Sequence, residues 1–277
     1  MLLQRSRRES IRDKSGMRKL ILASQLCCVI SFAYSQERVV TVEYKKEIVN
    51  DSIFLYVKNL LPAPLTFEIS CDTADFEAEI LLSVDTVWQE VLGLKDFLKG
   101  DTASLGTYLK VGAYLGDKNA EHDGYEYSFP FAESRSYSLL QGFKGKFSHS
   151  TDQSRYAVDF TMDVGEPIHA ARPGIVCYII RRFDVGGRDR KKYIDKANKI
   201  LILHSDGTIA TYNHLKKDGV VVEIGERVEV GQLIGYSGNT GFTSKPHLHF
   251  VVRAGRVSVP IRFKDTRKLK VGRKYAR

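Results

Sequence analysis

From about Ser136 onward the chain is cut into short apolar runs by glycines: "ARPGIVCYII", "ANKILILHSDGTIATYNHL", "GVVVEIGERVEVGQLIGYSGNTG" and "PHLHFVVRAG". Gly165, Gly174, Gly207, Gly219, Gly225, Gly231, Gly235, Gly238 and Gly241 punctuate this stretch. Tight turns between antiparallel strands need φ > 0, which glycine adopts without a steric penalty. A helical apolar period is hardly visible, so residues 136–265 are expected to form a compact antiparallel β domain.

Residues 36–135 also read as short strands, among them "RVVTVEY", "SIFLYVKN", "LTFEIS", "FEAEILLS", "TYLKVGAYLG" and "YEYSFPF". Turn residues such as "ND", "LPAP" and "GDKN" separate them, which predicts a small β-sandwich-like domain. The segment "VWQEVLGLKDFLKG" leaves room for a short helix. The expected fold class is therefore mainly β: an N-terminal sandwich-like domain over 36–135, a compact antiparallel sheet domain over 136–265, and a basic tail over 266–277, read as a solvated terminus. Nothing in 36–135 clusters His, Cys and carboxylates, so no chemistry is assigned there.

The start of the chain reads as an address. "MRKLILASQLCCVISFAYSQ", from Met17, has a basic start, an apolar run from Leu20 to Ala33 and small residues at Ala33 and Ser35. That pattern predicts a secretory signal peptide over residues 1–35, with initiation at Met17 and cleavage after Ser35. These fourteen residues rise only about 21 Å as a helix, short of the roughly 30 Å of hydrocarbon, so no stable membrane span is expected. The expected location is periplasmic or extracellular, at the cell envelope. Cys27 and Cys28 would leave with the signal, and the remaining Cys71 and Cys177 are expected to be buried as small apolar groups.

The net charge of +9 divides unevenly along the chain. Lys and Arg number seven against two acids in residues 1–35, nine against eighteen in 36–135, and twenty-six against thirteen in 136–277. A basic C-terminal half could meet an anionic polymer or attract the acidic half before it. No zinc-finger spacing or aromatic RNA-binding box points to nucleic acid.

Six of the seven histidines, 149, 169, 204, 214, 247 and 249, lie in the C-terminal domain. In "KPHLHF" an extended strand puts His247 and His249 on one face and Leu248 on the other. In "RYAVDF" the flanking Val158 and Phe160 point opposite to Asp159, which leaves a carboxylate within a strand. Such a group is costly to bury unless a cation removes the cost. Two or three imidazoles and a carboxylate are the donors of a catalytic zinc with one open position.

In this order, a first His, an Asp before "GEPIHAARPGIV", then "TYNHL", "GERVEVGQLIGYSGNTG" and "PHLHF", the chain from about Gln141 to Phe263 resembles the lysostaphin-type, LytM-like zinc metalloendopeptidases. The resemblance implies Zn2+ as cofactor, with Asp159 and His249 as ligands. The family's usual HxxxD spacing would place the other ligand at 155, where this chain has Arg155. His149, ten residues before Asp159 across what looks like an inserted loop, is the expected substitute, with Asp152 as the fallback. His214 and His247 match two further family histidines near the metal-bound water. His247 is the first choice for general base and His214 for orienting water or stabilising an oxyanion, with exchange of roles open. His169 and His204 are expected to be structural. Lys245 stands where relatives usually have glycine.

What the resemblance implies in activity is hydrolysis of peptide bonds in peptidoglycan, in cross-links or stem peptides. The acidic N-terminal domain could dock on the peptidase domain and restrict access. A second class stays open, a metal-deficient module that binds cell wall or activates other wall hydrolases, favoured by the departure at Arg155. A carrier-like β domain shares the "GERVEVGQLIG" texture but needs a lysine at the hairpin tip, where "YSGNTG" supplies none.

Overall fold

The computed structural model describes residues 27–30, 42–49, 52–71, 76–84, 87–94, 109–266 and 268–277. The expected signal peptide lies outside them except for residues 27–30. The chain is built almost wholly of strands. In the N-terminal part these are β1 (Cys27–Ile30), β2 (Val42–Val49), β3 (Ser52–Asn59), β4 (Leu65–Cys71), β5 (Phe76–Leu82), β6 (Gln89–Leu94) and β7 (Leu109–Leu115). They form two antiparallel sheets, β1-β2-β3-β6 and β5-β4-β7, around one core. Along β4, Leu65, Phe67 and Ile69 enter the core, while on the other face Glu68 and Ser70 are partly exposed and Thr66 is buried with its hydroxyl donating to the Gly116 carbonyl. The segment with room for a helix is instead strand β6 over Gln89–Leu94, because pairing with β3 at Ile53 and Leu55 overrides its local pattern. Its remainder, residues 95–100, lies outside the described residues.

The C-terminal part begins earlier than the glycine texture suggests. Its elements are β8 (Glu126–Tyr127), β9 (Ser136–Gln141), β10 (Val158–Thr161), β11 (Pro167–His169), β12 (Gly174–Ile180), β13 (Gly186–Gly187) and a one-turn helix α1 (Arg190–Tyr193). Then follow β14 (Asn198–Leu203), β15 (Ile209–Val220), β16 (Arg227–Val228), β17 (Leu233–Ser237), β18 (Gly241–Phe242), β19 (His247–Ala254), β20 (Val257–Ser258), β21 (Arg262–Phe263) and β22 (Lys274–Ala276). The main sheet runs β16-β12-β14-β15-β19-β10-β9-β22, with β17 branching from β15 and pairing β11. Every neighbouring pair along that path is antiparallel.

One face of this sheet is sealed by aromatics. Phe160 and Phe250 meet Phe129 and Phe263, the latter two stacked at 4.5 Å between ring centroids. Tyr127, Phe129 and Phe131, which precede Ser136, all belong to this core, and β8 pairs with β21. Their every-other-residue spacing in "YEYSFPF" turns three rings onto the sheet. The basic tail also differs from a solvated terminus: β22 pairs with β9, and Tyr275 is buried while Lys274 and Ala276 face out. An aromatic ring outweighs the charges beside it, since full burial contributes about 1.5–3 kcal/mol.

The two parts touch where Ala63 packs against Cys177, Leu201 and Ile209, and where Arg256 reaches Glu68 at 2.6 Å over the ring of Tyr114. Cys177 is buried and free, its Sγ facing the Leu201 carbonyl; the Cys71 side chain lies outside the described residues. Arg172, buried, bridges Asp123 at 2.7 Å and Asp206 at 2.8 Å. His204 is buried beside this cluster and donates from Nδ1 to the Pro173 carbonyl at 2.8 Å. Burial, with the Arg172 cation adding to it, pushes its pKa down to about 4.

The sign of the consequence is set by which state binds the proton. Between about pH 6.5 and 4 the unfolded imidazole is protonated and the folded one is not, so stability falls as pH is lowered through that window. His204→Asn should flatten this part of the profile by on the order of 2–3 kcal/mol relative to the parent, measured by urea unfolding at a series of pH values.

Candidate metal centre

The open face of the main sheet carries the polar constellation, and strand register puts it there. On β10, Val158 and Phe160 enter the aromatic core, so Asp159 must point the other way. Its cross-strand partners are His249 on β19 and Gln141 on β9. His247, two residues before His249, shares its face and sits opposite Thr161. His149 comes from the turn-rich loop between β9 and β10, held by its backbone N–H to the Gly145 carbonyl. One donor atom each from His149, Asp159 and His249 lie within 4.8 Å of one another.

Arg155 takes no part in this group. Its guanidinium turns outward to Asp152 at 2.8 Å, and the Asp152 side chain is 71% exposed, so the fallback carboxylate is engaged on the surface. His169 and His204 also lie outside the group, as expected. His122 stacks on Tyr127 instead.

Hydrogen bonds to main-chain carbonyls decide which nitrogen of each ring carries the proton. A carbonyl can only accept, so a ring nitrogen bonded to one must be N–H, and the other nitrogen of the neutral ring is then a bare lone pair. His149 Nδ1 donates to Gly142 at 2.8 Å, His214 Nδ1 to Thr240 at 2.7 Å and His247 Nδ1 to Lys245 at 2.8 Å. All three leave Nε2 bare. His149 Nε2 then faces Asp159 Oδ1 at 3.2 Å, and His249 Nδ1 approaches the same oxygen at 2.8 Å. Acceptors crowded in this way need a proton or a cation between them.

The ionisation trends follow from the same geometry. Burial alone would raise the Asp159 carboxyl, but the close His149 and His249 rings, with His247 beyond them, outweigh it and hold the group well below the usual carboxylate range. For His149, burial pulls down and Asp159 more than compensates, leaving the ring raised. His214 is pushed down to about 3, first by burial and then by His247 and His249. His247 is also lowered, by burial against the opposing pull of Asp159. Both rings are therefore neutral near pH 7.

His214 reaches the site through an unusual backbone. Strand alternation after Tyr212, which is buried in the core, would send residue 214 to the same side. At His214 φ is 66°, in the left-handed region, and the alternation breaks there as β15 leaves β19 for β17. Its ring consequently lies 4.6 Å from that of His247 and 5.9 Å from that of His249. Gly238 makes room for the turn: a Cβ there would meet Lys216 N at 2.4 Å.

Gln141 escaped the sequence reading. Its amide Nε2 donates to Asp159 Oδ2 at 3.1 Å and Ser148 Oγ at 2.9 Å, while Oε1 accepts from the Phe147 N–H at 3.1 Å. One side chain thus fixes both the carboxylate and the His149 loop. At the rim, Phe147 of that loop stacks on Phe242 at 5.7 Å.

Residues 153–261 match the model of peptidase family M23. This segment belongs to peptidase family M23, the lysostaphin-type peptidases. The chain is 33% identical over 127 residues to an uncharacterized metalloprotease of Buchnera aphidicola subsp. Baizongia pistaciae, which covers 45% of this chain and 30% of that protein. It is 38% identical over 98 residues to the glycyl-glycine endopeptidase ALE-1 of Staphylococcus capitis, covering 35% and 24%. With the peptidoglycan DD-endopeptidase ShyA of Vibrio cholerae serotype O1 the identity is 27% over 182 residues, covering 62% and 38%. The chain thus spans only 24–38% of the length of these three relatives. The family match begins at residue 153, so His149 and Gln141 lie outside it.

Because Gln141 holds the carboxylate from behind, Gln141→Leu should weaken binding of a divalent cation by about 10- to 100-fold. Titration calorimetry with Zn2+ checks this, with the thermal midpoint of the metal-free protein showing that the fold persists.

Proposed function

We propose that the M23 domain is a zinc-dependent endopeptidase that hydrolyses peptide bonds of peptidoglycan, in cross-links or stem peptides. The observation carrying this reading is the convergence of His149, Asp159 and His249 donor atoms within 4.8 Å beside the bare Nε2 atoms of His214 and His247. Two imidazole nitrogens and a carboxylate oxygen suit Zn2+ and leave a further position for water or substrate. The cation, when bound, polarises the scissile carbonyl and acidifies water. The chain's own residues do the rest. His247 Nε2 accepts the proton of the attacking water and returns it to the departing amine, and neutrality near pH 7 makes it available as a base. His214 Nε2, equally bare, accepts the water's other hydrogen bond and orients it.

Similarity to the peptidoglycan DD-endopeptidase ShyA and to the glycyl-glycine endopeptidase ALE-1 supports a cell-wall peptide as substrate. The basic C-terminal half suits an anionic envelope polymer. Export through a signal peptide over residues 1–35 agrees with that substrate, and no helix among the described residues is long and apolar enough to cross a membrane. The N-terminal part restricts access: Leu61, Tyr114 and Leu115 help wall a hollow of about 330 Å³ that shares Tyr178, Lys199, Leu201 and Arg253 with the groove of the site. Arg256→Ala, which removes the contact with Glu68, should then raise kcat/KM on long substrates more than on short ones.

Zinc analysis separates the peptidase from a metal-deficient binding module. The purified chain should hold close to one zinc, and His149→Ala should lose it. His247→Ala should keep the zinc but lower kcat by about 10²- to 10⁴-fold on cell-wall fragments, with new amine ends identified by mass. A parent chain that neither retains nor binds zinc would overturn the reading.

A further inference from the structure

The sheet face that carries the metal centre continues past it as the floor of a groove. Register defines a row across five strands: Lys199 of β14 stands opposite Asn213 of β15, then His249, Asp159 and Gln141. Further along β19, Arg253 shares the face of His249, four residues away. Lys199, Asn213 and Arg253 line one hollow of about 360 Å³ together with His214 and His249.

Three features of this floor remain unexplained by the peptidase chemistry. Neither cation has a carboxylate partner among the described residues, and no Asp or Glu lines the hollow. The buried polar atoms Arg253 Nε, Thr211 Oγ1 and Asn213 Oδ1 have no hydrogen-bond partner among the described residues. The two cations also line the same hollow, and Lys199 is pushed down to about 8, first by burial and then by Arg253. Surface lysines and arginines avoid such an arrangement by reaching into water. A half-buried pair of like charges beside orphaned acceptors is the imprint of an anionic ligand.

We propose that Arg253 and Lys199 form an anion subsite on the groove floor that takes a carboxylate of the substrate peptide, while Thr211 and Asn213 accept its backbone N–H groups. This rests on the endopeptidase reading for what the ligand is, though not for whether it binds. Lys199 lies two strands from His249, about 10 Å, and Arg253 lies about 13 Å along the strand. Both line the hollow that also holds His214 and His249, so the carboxylate sits roughly 10 Å from the metal centre. Extended chain covers that in about three residues. The subsite therefore selects peptides with a free carboxylate two to three residues from the scissile bond. Tyr114 and Leu115 wall the adjoining hollow.

The test uses soluble muropeptide dimers in four forms: unmodified, amidated at the chain-terminal carboxylate, amidated at the side-chain carboxylate, and amidated at both. Binding to the full chain is measured by calorimetry without added zinc, and cleavage is measured separately with zinc. Loss of one charge-assisted contact should weaken binding by about 10- to 100-fold for one of the single amidations, which identifies whether the terminal or the side-chain group is read. Arg253→Gln and Lys199→Met should bind all four forms alike, and Arg253→Lys should restore part of the preference. Equal binding of all four forms by the parent chain overturns the subsite, even if all are cut. A preference in binding with no cleavage leaves the subsite standing and sinks the peptidase reading instead. Because the decisive comparison is between ligands on the parent chain, a variant that fails to fold does not obscure it.

Discussion

A carboxylate placed in the middle of a sheet governs this molecule. Asp159 is 3% exposed, and an ionised group so placed costs several kcal/mol unless other groups meet it. The main sheet meets it from three sides. His249 comes from the strand on one flank, Gln141 from the strand on the other, and His149 from the loop that joins β9 to β10. These contacts hold only in one register. A slip of a single residue would turn Asp159 into the aromatic layer and Phe160 out to water. The rings of Phe160, Phe250 and Phe263 therefore specify the polar site as firmly as the polar groups do.

Much of this was legible because it is local. The hydrophobic neighbours of Asp159 reveal its direction, and the alternation in "HLHF" puts both histidines on one face. Glycine-bounded apolar runs mark the antiparallel strands. Gln141 was not legible, since its importance lies in the partner opposite it across β9 and β10, and register between strands leaves no mark in a short window. Tyr127, Phe129 and Phe131 alternate plainly, yet nothing local says which sheet they cover. Likewise Tyr275 sits among charges that suggest a solvated end. The position of His214 runs against alternation, because one left-handed residue reverses the face that the pattern assigns.

That left-handed residue is a local cost at the place where chemistry is proposed. A non-glycine side chain in this conformation is disfavoured by roughly 1–2 kcal/mol. The hydrogen bond from Nδ1 to Thr240 holds the ring, and Thr240 Oγ1 in turn donates to the Leu215 carbonyl at 2.8 Å. The strain and its restraints are contiguous, so the ring's direction is fixed before any ligand arrives. The sheet contributes a rigid floor, and its strands carry Asp159, His214, His247 and His249.

His149 departs from this plan, for it comes from a loop while Asp159 and His249 stand on strands. Its segment is tied down by the Lys144 N–H to the Arg155 carbonyl and by the Ser258 N–H to the Asp152 carbonyl, with the imidazole between these ties. Any ion coordinated there would also act as a rivet for the loop, because its binding energy is shared with the ordering of residues 143–156. Occupancy and local rigidity then rise and fall together, and the site's affinity reports how well a surface segment is laced to the sheet beneath.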